Sequence, residues 1–483
     1  MPLDLAFSSA TALAAKLRTG KLSALELLDH YIARIEKHDV VLNAVVVRDF
    51  DRARKRAKAA DRALKKGAPL GPLHGLPMTV KESFNVAGLK TTWGNPAFKD
   101  NVADYTTVAI ERLQAAGAIV FGKTNVPLLL QDLQSYNAVY GTTRNPYDLT
   151  RTPGGSSGGG GAAVAAGLSA ADFGSDLAGS IRVPASFCGL YSHKPSFGVV
   201  PTRGHGLAPA LAQPDISVLG PIARSARDLE PLLRATAGPL EDDAAGWTLT
   251  LPASRATQLR GLRIGMLTDI ESSPLAASVR GALEGLARWL RKQGAKVSTA
   301  ALPIEAKAHQ ALFMQFVRAV GAARMGDPMF RQTLEEAAKY AAGDSSPAAL
   351  HLRGLAQYHR DWCVAHEARS QLRARWADYF RDHDLLLVPG TPVPAFPIDE
   401  AGPREARTLD IDGRQVPYNA QGFWQGIATV SYLPASVAPI ARTGAGLPLA
   451  VQIIGPYLGD LSTIGFARLL EHDYASFEAP VLA

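Results

Sequence analysis

The side chains best suited to covalent chemistry gather in one glycine-rich stretch, GGSSGGGGAAVAAGLSAADFGSDLAGS, residues 154–180. Its ends carry Ser156, Ser157, Ser175, Asp176 and Ser180, and Arg182 follows two residues on. A serine hydroxyl can attack a carbonyl if a base takes its proton. The stretch itself holds neither histidine nor lysine. The next histidines, His193 and His205, stand in no triad-like context, and Ser180, in LAGSIRV, lacks the G-x-S-x-G elbow. A lysine can replace histidine when burial lowers its pKa toward neutrality. Lys81, in LPMTVKESFN, is the one lysine flanked by comparable turn residues. A lone strand-end lysine is ordinarily a surface residue, so spacing alone does not assign it.

The glycines admit other readings. A phosphate- or nucleotide-binding module needs a lysine after its glycine loop, or a strand directly before a G-x-G-x-x-G turn. The stretch has no lysine, and RNPYDLTRTP before it does not read as a strand. A flexible linker would not run into GAAVAAGLSAADF, whose small apolar residues suit a buried helix that another segment approaches closely. Glycine permits turns with positive φ that expose several N–H groups together. DLAGSIR forms a second such turn. Two constrained turns with free amides make a frame for an anionic intermediate.

The surrounding elements must hold these turns in place. LSALELLDHYIARIEK opens with the capping-box pair Ser23 and Glu26, and DRARKRAKAADRALKKG reads as a second helix ending at Gly67. PMTVKES reads as a strand entering a turn, and TTVAIERLQAAG and AIVFGKTN as helix then strand. Helix and strand alternate again through SARDLEPLLRATAG, LRIGMLTD, SVRGALEGLARWLRKQG and AKVSTA. That alternation predicts an α/β fold with a mixed, helix-covered sheet. Residues 300–380 are mostly helical, and DLLLVPG and LPLAVQIIG return to strand. With no low-complexity linker, the expectation is a single domain over 1–483, with an N-terminal helical region (1–70) and a helical insertion (300–380).

Composition narrows the class. The 483 residues are 47% hydrophobic and 20% charged, which excludes global disorder. Lys+Arg 51 against Asp+Glu 44 leaves a net charge of +7, too dilute to imply nucleic-acid binding without a patch or motif. The two cysteines form no metal-binding or disulfide pattern. No secretory signal or membrane-spanning run is evident, so a cytoplasmic protein is expected.

Four blocks now fall into place together. GPLHGLPMTVKE, NPYDLTRTPGGSSGG, GSDLAGSIRVPASFCGLYSHKP and GLPLAVQIIGP, in that order, resemble the amidase signature family. The resemblance spans roughly residues 20–475. It implies a central twisted mixed β-sheet covered by helices on both faces. It also implies a serine amidase that needs no cofactor or metal. The family's nucleophile falls on Ser180, its bridging serine beside a cis peptide bond on Ser156, and its base on Lys81. The oxyanion hole falls on the backbone N–H groups of Leu177, Ala178, Gly179 and Ser180. Ser157, Ser175, Asp176 and Arg182 match supporting positions. The chain departs from the usual pattern at Glu82, at Gly160 where serine is common, and at Ala178 where glycine is usual.

The expected substrate is a small-molecule amide. Phe313, Met314, Phe316, Phe423, Trp424 and Tyr136 suggest a pocket for an aryl or alkyl group. Some relatives are instead glutamine-hydrolysing subunits of transfer-RNA-dependent amidotransferases. The resemblance also makes a homodimer an expectation.

Overall fold

The computed structural model describes residues 5–341, 343–344 and 346–482; the first four and the last residue of the expected single domain lie outside this set. Eleven strands form one mixed sheet. In chain order they are β1 (Val45–Arg48), β2 (Pro77–Lys81), β3 (Ile119–Thr124), β4 (Ala171–Asp176), β5 (Tyr191–Lys194) and β6 (Val218–Ala223). They continue with β7 (Arg263–Met266), β8 (Lys296–Thr299), β9 (Leu385–Pro389), β10 (Ala435–Arg442) and β11 (Pro448–Ile454). Across the sheet the order is β1-β3-β2-β4-β6-β5-β10-β11-β9-β7-β8. β2 runs parallel to both neighbours, β3 and β4, while β4 pairs antiparallel with β6. Both β2 and β4 are buried along their whole length, as central strands covered on both faces must be.

Parallel β2 and β4 end at the same edge of the sheet, so Lys81 and Asp176, their last residues, are brought there together. The chain reaches β4 through the helix Gly158–Ala165, buried at every position. Glycine is a poor helix former, so this helix depends on its tertiary surroundings. A Cβ on Gly159 would stand 2.2 Å from the backbone nitrogen of Asn125, just past β3. One on Gly161 would meet Pro184 at 3.1 Å, on the short helix Arg182–Phe187. Small residues thus let this helix lie directly against neighbouring backbone.

The N-terminal helices are Ala10–Arg18, Ala24–Leu42 and Phe50–Lys65. Ser23 accepts from the Glu26 amide and the Glu26 carboxylate accepts from the Ser23 amide, closing the capping box. Between the second and third of these helices the chain inserts β1 at the sheet edge. Between β8 and β9 lie helices Ala306–Ala322, Asp327–Ala338, Pro347–Leu355 and His359–Asp382. Arg369 on the last of these is buried, pairs with Asp215 at 2.8 Å, and lies 3.8 Å above the Phe316 ring. No helix among the described residues is long and apolar enough to cross a membrane.

The close approach at Gly159 predicts that Gly159→Ala lowers unfolding free energy by about 1–3 kcal/mol through overpacking. Gly281, on the exposed face of the helix Ala277–Lys292, has nothing within 4 Å of an added Cβ. Gly281→Ala is therefore expected to be neutral or to stabilise by up to about 1 kcal/mol. Urea denaturation of the pair checks both signs.

Candidate active site

Lys81 sits at the end of β2 with no solvent exposure. Its Nζ lies 2.7 Å from Ser156 Oγ, 3.0 Å from Ser175 Oγ and 3.2 Å from the Ser175 carbonyl oxygen. β4 delivers Ser175, and the turn entering the glycine helix delivers Ser156. The Gly155–Ser156 peptide bond is cis. Around it, the Gly154 amide donates to Thr152 Oγ1, while Ser135 Oγ donates to the Gly154 carbonyl and accepts from the Gly158 amide. The Ser157 amide donates to the Ser180 carbonyl at 3.1 Å, which ties the two ends of the stretch together. Ser157 Oγ reaches the Ser175 carbonyl at 3.5 Å. All three are buried, Ser180 at 8% exposure, Ser156 at 1% and Lys81 at 0%.

Burial decides the lysine's charge. Removing the ammonium group from water lowers the Lys81 pKa from 10.5 to about 7. Asp176 and Asp172 oppose that shift, and Arg324 adds to it. Asp172, on β4, is itself pushed up to about 7 by burial, against the hydrogen bonds from Thr79 and Thr124. Its Oδ1 has no partner among the described residues. A Cβ on Gly160 would stand 2.3 Å from that oxygen, so the glycine leaves room for the Asp172 carboxyl.

The second turn is held by Asp176 and Arg182, both buried. Arg182 Nη2 and Nε donate to Asp176 at 2.8 and 3.0 Å. The Asp176 carboxylate also accepts from the amides of Gly179 at 2.8 Å, Ile181 at 3.0 Å and Arg182 at 3.4 Å. Burial alone would raise its pKa, but the Arg182 guanidinium and these amides hold it well below the usual carboxylate range. Arg182 further donates to the Gln425 carbonyl, Gln452 Oε1 and Thr429 Oγ1.

This geometry corrects the expectation of four oxyanion donors. The Gly179 amide is committed to Asp176. The amides of Leu177, Ala178 and Ser180 have no hydrogen-bond acceptor among the described residues. Three donors are thus free at the turn. The phosphate-cradle reading fails for a similar reason. The Gly158, Gly159 and Gly161 amides already donate to Ser135 Oγ, the Asn125 carbonyl and the Ser157 carbonyl.

The aromatic pocket also requires correction. Phe313 and Phe316 on the helix Ala306–Ala322, with Phe423 and Trp424 on the helix Gly422–Val430, are buried in the main core. Phe313 packs against Gly426, and Phe423 against His309 and Trp424. Met314 is partly buried against the same core. Tyr136 lies elsewhere, with its hydroxyl accepting from Arg407 and donating to Asp132. Helical spacing marks a buried face without saying whether a core or a ligand covers it.

Three neighbours received no role from the sequence. Glu82 is buried and accepts from the Thr92 and Trp93 amides and the Tyr140 hydroxyl, which shapes the turn after Lys81. His205 pairs with Ser83 Oγ at 2.9 Å, and burial drives its pKa well below 6.5, so it stays neutral. Asp172 gave no signal because SAADF reads as helix.

A family model described as Amidase matches residues 26–464. The chain belongs to the amidase signature family. This amidase-signature chain is 34% identical over 480 residues to the Mycobacterium tuberculosis protein named "Putative amidase AmiB2", covering 97% of each. It is 30% identical to a glutamyl-tRNA(Gln) amidotransferase subunit of Synechococcus sp., covering 94% of each. A bacterial aryl acylamidase structure of the same family superposes with a TM-score of 0.81 at 26% identity, covering 96% of both chains. The amidase-signature fold, with its mixed sheet flanked by helices, is thereby shared. The protein is a hydrolytic enzyme acting on amide bonds, with relatives named as amidases and as glutamyl-tRNA(Gln) amidotransferase subunits.

Removing one half of the buried clamp leaves the other charge unpaired. Arg182→Ala is expected to lower unfolding free energy by about 3–5 kcal/mol. Unchanged stability in chemical denaturation would show that the clamp does not hold this turn.

Proposed function

We propose that this enzyme hydrolyses a carboxylic amide through an acyl-enzyme on Ser180, with Ser156 as proton bridge and Lys81 as base. The observation that carries the reading is the contact set of the buried lysine. A neutral amine has two hydrogens and one lone pair. Ser175 offers two acceptors, its Oγ and its carbonyl oxygen. The lone pair is left for the Ser156 hydroxyl at 2.7 Å. Ser156 gives its proton to Lys81 and takes one from Ser180, whose Oγ then attacks the amide carbonyl.

The resulting oxyanion is met by the free amides of Leu177, Ala178 and Ser180; losing one such donor costs about 3 kcal/mol in other acyl-transfer enzymes. The proton on Lys81 returns through Ser156 to the leaving nitrogen, the C–N bond breaks, and an amine departs. Water then attacks the ester carbonyl of the acyl-enzyme, giving its proton back to Ser180 and releasing a carboxylic acid. Ala178 adds a methyl group beside the donors and leaves its N–H in place.

An aryl or alkyl acyl group loses its main support, since the aromatics invoked for it pack in the core. A second reading, a glutaminase subunit supplying ammonia to a transfer-RNA-dependent amidotransferase, draws on the similarity to the Synechococcus protein. It requires glutamine turnover and a partner that receives ammonia.

A hydrolysis screen of anilides, fatty amides, short aliphatic amides, glutamine and matching esters tests the reading. Ser180→Ala should lose at least about a thousand-fold in kcat; wild-type turnover in that variant would refute the nucleophile. Lys81→Ala should impair amide cleavage more than ester cleavage, because an alkoxide leaving group needs less protonation. Equal losses would remove the acid role of Lys81.

The pH profile follows from the lowered lysine pKa. The base is competent only when neutral, so kcat/KM should rise with pH through about 7 and level off above it. A profile that kept rising to the ordinary lysine range near 10.5 would mean that Lys81 is not buried in the working enzyme.

A further inference from the structure

Three buried arginines have a carboxylate partner. Arg182 pairs with Asp176, Arg369 with Asp215, and Arg407 with Asp132. Arg324 differs. It lies just past the helix Ala306–Ala322, with its amide donating to the Gly321 carbonyl. Its guanidinium carbon stands 5.0 Å from the centroid of the Trp93 ring. That ring lies 5.4 Å from His205, and its Nε1 donates to the Ser83 carbonyl. Lys81, Glu82 and Ser83 are consecutive, so Trp93 links Arg324, past the end of the helix Ala306–Ala322, to the turn that follows Lys81. Its charge is felt at both Lys81 and His205.

Among the described residues, no carboxylate pairs with Arg324 and no acceptor takes its side-chain N–H groups. The nearby carboxylate of Glu82 is occupied by two amides and a tyrosine hydroxyl. Nearby His205, on which Arg324 acts together with Lys81 and Lys123, is kept neutral by burial. A partly buried guanidinium has lost much of its water, and a ring face satisfies none of its directional donors. Such a fork matches a carboxylate, which it can hold through two parallel hydrogen bonds.

We propose that Arg324 binds a carboxylate carried by the substrate, so that the enzyme's amides are carboxylate-bearing ones, such as a dicarboxylic acid monoamide or an amino-acid side-chain amide. The proposal rests on the assignment of Ser180, Ser156 and Lys81 as the hydrolytic site. The guanidinium rests over the Trp93 ring, and the substrate spans from Arg324 to Ser180, where its amide is cleaved. Recognition of the carboxylate places the carbonyl over the free amides of the second turn.

The test uses calorimetric binding to Ser180→Ala, so that binding is read apart from turnover. The probes are malonamate, succinamate, glutaramate and L-glutamine, with the neutral diamides of the same three acids and glutaminamide as partners. At least one carboxylate-bearing amide should bind about tenfold or more tightly than its neutral partner, as a charge-assisted contact implies. The double variant S180A/R324Q should lose that preference, and S180A/R324K should keep part of it. Glutamine leading the series points to an amino-acid substrate, and a monoamide leading it to a dicarboxylic one; both support the proposal. Equal affinity within every pair, no binding of any carboxylate-bearing amide, or a preference that survives R324Q overturns it. Wild-type turnover of neutral amides, abolished by S180A, would in those cases leave the hydrolytic assignment standing. Turnover retained by S180A would instead sink that assignment.

Discussion

The site depends on keeping an amine out of water. An exposed lysine at neutral pH is an ammonium ion and accepts no proton. Lys81 escapes this because β2 ends inside the protein, between two parallel strands covered on both faces. Desolvation then works against the two nearby carboxylates, which alone would favour the charged form. Asp176 is largely neutralised by Arg182, and Asp172 is pushed toward its neutral form by the same burial. The aspartates are therefore present for hydrogen-bonding geometry with their pull on the lysine weakened.

Close backbone approach is the second constraint. The helix Gly158–Ala165 is built from glycine, alanine and valine, and lies against the chain beyond β3 and against the helix Arg182–Phe187. That packing sets Ser156 at one end of the stretch beside Lys81. It also keeps the second turn within hydrogen-bonding distance of the first, through the Ser157 amide and the Ser180 carbonyl. The glycines act through their missing side chains, and the amides of Gly158 and Gly159 are taken by Ser135 and Asn125.

Much of this was legible from the sequence, and the gaps have physical causes. β2 and β3 could be read because PMTV and AIVF carry the bulky apolar residues of a doubly buried strand. β4 could not: ADFGSD has one large apolar residue and no β-branched one, and its strand state comes from pairing with β2 and β6. Asp172 was hidden with it. Phe313, Phe316, Phe423 and Trp424 announced a buried face correctly, but the face meets the core. Arg324 carries no signal in the sequence, since its lack of a carboxylate partner among the described residues is a property of three-dimensional neighbours alone.

Arg182 joins parts of the chain that are made at very different times. Two residues past Ser180, it is anchored by Asp176 before it and by Gln425, Thr429 and Gln452 far beyond it. A chain still emerging from the ribosome therefore has Ser180 long before it has the residues that anchor the turn around it. A chain cut short before residue 425 would carry Ser180 with none of these three anchors on the Arg182 guanidinium.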